Sequence, residues 1–95
     1  MARFTTRVIL HGVSDSADTY GKLHEAMETS GFSRKILGAD EIWYELPPAE
    51  YNLDAEMTSD QVLNKARAAA NSVWTNNGVI VTEGARTWVG LKEAK

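Results

Sequence analysis

The sequence predicts an α+β fold of order β-α-β-β-α-β, and three observations carry that reading. Arg3 to His11 is rich in Val, Ile, Thr and Phe and is closed by Gly12, the signature of a strand. Two later stretches, around Tyr20-Leu23-Met27 and from Val62 to Trp74, place apolar residues at helical spacing. Between them lie two β-rich segments joined by the loop Gly38-Ala39-Asp40.

In a strand, successive side chains alternate between two faces. Phe4, Thr6, Val8 and Leu10 therefore share one face of the first strand, and Arg3, Thr5, Arg7, Ile9 and His11 share the other. The first set is ordinary core. The second set does not suit a strand covered on both sides, so this strand is expected at the centre of an open sheet with helices on one side only.

The stretch from Val13 to Asp18 is dense in helix-capping residues and opens a first helix over Ser16 to Ser30, with Gly31 as its stop. Capping also accounts for Asp15 and Asp18. Phe32 to Leu37 and Glu41 to Leu46 read as a hairpin in which Ile36 meets Ile42, Arg34 meets Tyr44 and Lys35 faces Trp43. Pro47-Pro48 ends the second of these strands. Glu50 to Glu56 then reads as an acidic connection with Tyr51 and Leu53 as apolar anchors.

Thr58-Ser59-Asp60-Gln61 is a capping box. It opens a second helix whose broad face holds Val62, Leu63, Ala66, Ala69, Ala70, Val73 and Trp74. Val79 to Thr82 is a short strand, and Arg86 to Leu91 reads as a short fifth one. The order is that of the split βαβ, ferredoxin-like sandwich: a four-stranded antiparallel sheet with both helices on one face.

Ninety-five residues form one domain, spanning positions 1–95. With 43% hydrophobic and 24% charged residues, the composition is that of a soluble globular protein. The absence of cysteine excludes disulfides, thiolate metal sites and cysteine nucleophiles, and fits a reducing compartment. No apolar run is long enough to span a membrane and no signal peptide is evident, so a cytoplasmic protein is expected. A net charge of −3 argues against strong nonspecific nucleic-acid binding and leaves room for a local basic patch. No nucleotide-binding loop or metal-ligand motif is present, and neither cofactor nor metal is expected.

The chemistry that remains lies on the open face. Arg3, Arg7 and Lys35 are placed to meet phosphates and Trp43 to stack a base, the usual way in which a sheet holds single-stranded RNA. The alternatives are a dimer interface, another docking surface or a plain solvated face with Trp43 and Ile9 packed under arginine stems. Cleavage of RNA by its own 2′-hydroxyl needs acid–base groups and a cation, for which His11 and Arg34 are the candidates. His24, spaced four residues from Glu28, reads as a solvated helix residue.

Several stretches resemble the GhoS antitoxins of type V toxin–antitoxin systems. They are Arg3-Phe4-Thr5 through Val8-Ile9-Leu10-His11-Gly12, Tyr20 to Met27, Gly31 to Arg34, Leu46 to Asn52, and Val62 to Ala66. The resemblance implies a ferredoxin-like fold similar to the small CRISPR-associated endoribonucleases, and sequence-selective action on a toxin messenger RNA. Where those nucleases carry an aspartate at the end of the first strand, this chain has His11-Gly12, so metal-dependent cleavage by that route is not implied. Two functions from different classes follow as expectations. One is an antitoxin-like RNA-binding protein, whether or not it cleaves. The other is a non-catalytic interaction module using the sheet face or edge.

Overall fold

The computed structural model describes residues 1–14 and 17–94. Strand β1 (Ala2–Leu10) carries the alternation expected of it: Phe4, Thr6, Val8 and Leu10 are buried, whereas Arg3, Arg7 and Ile9 are exposed. Helix α1 (Asp18–Thr29) buries Tyr20, Leu23 and Met27 against this strand. Ala17 stands at its N-cap without a side-chain bond, and Asp15 lies outside the described residues.

The end of α1 is closed by backbone geometry. Gly31, at φ +97°, lets its own N–H reach the Glu28 carbonyl at 3.0 Å and the Phe32 N–H reach that of Met27 at 3.0 Å. This is the Schellman arrangement, with the buried side chains of Phe32 and Met27 as its apolar partners.

Helix α2 (Ser59–Asn71) starts at the expected capping box: the Gln61 N–H donates to Thr58 Oγ1 at 3.1 Å, and the Thr58 N–H donates to Gln61 Oε1 at 2.9 Å. Val62, Ala66, Ala69 and Ala70 face the core. The apolar face is narrower than expected, because Leu63 and Trp74 are both more than a third exposed. Trp74 lies beyond the helix end, where its indole N–H donates to the His11 carbonyl at 3.0 Å.

The remaining strands are β2 (Lys35–Leu37), β3 (Trp43–Glu45), β4 (Glu50–Ala55) and β5 (Asn77–Glu83). They form a three-stranded antiparallel sheet in the order β4-β1-β5 and a separate two-stranded sheet, β2-β3. Both helices share the core with the even-numbered residues of β1, so the odd-numbered face of the larger sheet is uncovered.

The single four-stranded sheet expected is thus two separate sheets, and three further expectations are corrected. The segment Glu50 to Glu56 is not a connection but contains β4, the neighbour of β1, with Arg3 opposite Asp54, Thr5 opposite Asn52 and Arg7 opposite Glu50. Its acidic residues alternate with Tyr51 and Leu53, which face the core side. Pro47-Pro48 ends one strand and launches the next: the Glu50 N–H closes a turn on the Pro47 carbonyl at 3.1 Å, with Ala49 at φ +64° where such turns favour glycine.

The hairpin is shorter than expected and its register is displaced by two residues. Ile36 pairs with Tyr44 and Leu37 with Trp43, while Lys35 meets Glu45. Asp40 is the cause. Its carboxylate accepts the Ile42 N–H at 3.1 Å and the Tyr44 hydroxyl at 2.6 Å, which draws Glu41 and Ile42 into the loop. A two-residue slip leaves each side chain on its expected face. Finally, Arg86 to Leu91 forms no strand; near the C-terminus only a bridge between Tyr44 and Glu93 pairs with β3.

Ala66 is fully buried where α2 meets β1. Ala66→Leu is expected to overpack this contact and cost about 1–3 kcal/mol, read as a lowered midpoint in urea denaturation with an unchanged slope.

Candidate nucleic-acid interface

The uncovered face is built by the pairing of β1 with both neighbours. Arg3, Thr5, Arg7 and Ile9 share it with Glu50, Asn52 and Asp54 of β4 and with Gly78, Ile80 and Thr82 of β5. Arg7 lies 3.7 Å from Glu50, but its side chain is 68% exposed. A pair so open to water holds its partners weakly, which leaves the guanidinium free to exchange toward another anion. Arg3 has no ion pair among the described residues.

Arg86, which no sequence pattern marked, reaches this face from the segment after β5. It donates to the Phe4 carbonyl at 3.0 Å and to Asn52 Oδ1, and lies 3.7 Å from Asp54. Burial, above all, holds the Arg86 guanidinium below its ordinary range; Asp54 opposes that shift and Arg3 adds to it.

The β2-β3 hairpin meets the outer edge of β4 through paired bonds between Ser33 and Asn52, of 2.8 and 2.7 Å. Trp43 is about half exposed on it and shares a cleft of about 360 Å³ with Arg3, Asn52, Asp54, Arg86 and Trp88. Trp43 and Arg3 are thus brought together as expected. Lys35 lines a different, shallower hollow with Trp43, and Arg7 borders neither.

The candidate acid–base group, His11, and the candidate charge-stabilising cation, Arg34, are not brought into one cleft. His11 is exposed just past β1 in an apolar hollow with Ile9 and Ile80, over Gly78, whose missing side chain leaves them room. Arg34 lines a hollow with Glu28 and Phe32 along the outer edge of β4, on the opposite side of the sheet from β5 and His11. The histidine in the more structured setting is His24, which the sequence reading set aside. Its Nδ1 lies 2.7 Å from the hydroxyl of Tyr51, a ring with no exposed surface, and it lines a cleft of about 300 Å³ with Arg7, Tyr20 and Glu50.

Desolvation, then Arg34, lowers the His24 pKa from 6.5, while Glu28 opposes the shift; burial raises that of Tyr51. His24 Nδ1 and the Tyr51 hydroxyl share one hydrogen bond, whose direction follows the imidazole tautomer. What could have flagged this pair is the β alternation of Tyr51, once Glu50 to Ala55 is recognised as a strand.

No protein-family model, curated protein or solved structure matches this chain. No helix among the described residues is long and apolar enough to cross a membrane, and none of their His, Asp and Glu side chains cluster in threes to hold a metal ion.

The depressed pKa of His24 has a thermodynamic consequence. Between its folded value and about pH 6.5 the unfolded chain binds more protons at this site than the folded one. Its contribution to stability is therefore complete above that window and lost as the pH falls through it. Thermal unfolding midpoints measured across this range are expected to fall less steeply with acidification in His24→Gln than in the wild type.

Proposed function

We propose that this is an antitoxin-like protein that binds single-stranded RNA, a toxin messenger in the setting the GhoS resemblance implies, on the uncovered face of a ferredoxin-like sandwich. The plan fits if the Ser33–Asn52 bridge is counted as the fourth strand's attachment: the order then reads β2-β4-β1-β5, with β3 as a projecting arm. The observation that carries the functional reading is the row of exposed cations on β1, Arg3 and Arg7, the first of which shares a cleft with the half-exposed ring of Trp43. Cations for phosphates next to an open π face suit a strand with splayed bases, and they do so without a basic domain.

A second reading is favoured by one feature. Ile9 and Ile80 are 51% and 63% exposed side by side on the same face, an apolar patch that would suit a protein partner or a second copy of the chain.

Binding of a fluorescent, unstructured RNA separates the two. Trp43→Ala is expected to weaken binding by about 1–3 kcal/mol with the fold retained. Arg7→Ala is expected to weaken it for all sequences and to lower the salt slope by about one unit. Absence of RNA binding by the wild type, together with a dimer that dissociates in Ile80→Lys, would establish the interaction module instead.

A further inference from the structure

The cleft between the β2-β3 hairpin and the edge of the larger sheet has the composition of a subsite. We propose that it takes one unstacked base of the RNA together with an adjoining phosphate, a deepening of the RNA-binding reading on which it rests. Its volume, about 360 Å³, is at the small end of small-molecule sites. Two indoles line it. Trp43 is about half exposed, while Trp88 is steadied edge-on by Tyr44 at a centroid distance of 5.8 Å. A ring fixed in this way is already ordered before a base stacks on it, so less entropy is lost on binding.

The polar side of the cleft is equally defined. Arg86 donates to Asn52 Oδ1, which fixes the amide orientation and leaves its NH₂ without a partner among the described residues. Beside it, Asp54 supplies an acceptor only 46% exposed and held by Arg86 at 3.7 Å. A donor next to an acceptor matches a base edge that offers an acceptor beside a donor. Each of the four bases has one: a ring nitrogen beside an exocyclic amine in adenine, guanine and cytosine, and O4 beside N3–H in uracil. Arg3 stands close enough to Arg86 to disfavour its charge, and of the two only Arg86 has a carboxylate partner among the described residues. The uncompensated cation at Arg3 is the place for the phosphate.

The test is titration of the full chain with each of the four nucleoside 5′-monophosphates and with inorganic phosphate, followed by calorimetry, alongside binding of an RNA oligonucleotide. All four nucleotides are expected to bind more tightly than inorganic phosphate, which offers neither a ring nor a base edge. Trp88→Ala should weaken nucleotide binding about tenfold, and Arg3→Gln should do the same without any packing change, which keeps the test valid if the tryptophan variant does not fold. Lys65→Gln, on the exposed side of α2, serves as the control. Oligonucleotide binding that survives both Trp88→Ala and Arg3→Gln would overturn the subsite and leave the open-face reading standing. Absence of any RNA binding by the wild type would overturn both.

Discussion

Everything on the functional side of this molecule depends on β1 being hydrogen-bonded along both edges while only one of its faces is covered. Pairing with β4 and β5 satisfies the backbone groups of the strand and fixes the register of three elements at once. The covered face is dictated by Phe4, Val8 and Leu10, which α1 and α2 bury. A one-residue slip would put these in water and the arginines in the core, so the register is strongly specified. The position of Arg3 and Arg7 on the open face thus follows from burial on the opposite face, and their chemistry is left free.

The parts of the fold that could be read from the sequence are those in which local chemistry and burial agree. The alternation in β1, the capping box at Thr58, the Gly31 stop and the small-residue face of α2 each state locally what the tertiary structure requires. β4 was missed for the opposite reason. Glu50 and Asp54 looked like solvent residues, and Pro47-Pro48 looked like an end, because their alternation with Tyr51 and Leu53 makes sense only beside a partner strand. The hairpin register turned on the Asp40 carboxylate, whose two hydrogen bonds lengthen the loop, and nothing in the apolar pattern reports such a bond.

The candidate site divides in the same way. Arg3, Arg7 and the exposure of Trp43 were legible from strand alternation. Arg86 and Trp88 were not, since both belong to an irregular segment whose position is set by long-range contacts: Arg86 with β1 and β4, Trp88 with Tyr44. The His24–Tyr51 bond joins residues 27 apart in sequence and required β4 to be known. Lys35 was expected opposite Trp43 from a hairpin register that the Asp40 loop displaces; it pairs with Glu45 and lies outside the cleft that Trp43 shares with Arg3. The open face is consequently narrower in cations than the sequence suggested and richer in built detail at its β4 edge, where aromatic, amide and guanidinium groups meet.

The central claim is that RNA is held on the uncovered face. Mapping of backbone amide NMR shifts during titration with a short, unstructured RNA oligonucleotide tests it most directly. The account predicts perturbations at Arg3, Thr5, Arg7, Asn52 and Trp43, with the outer surfaces of α1 and α2 unchanged. Shifts confined to the helices, or none at saturating RNA, would contradict it.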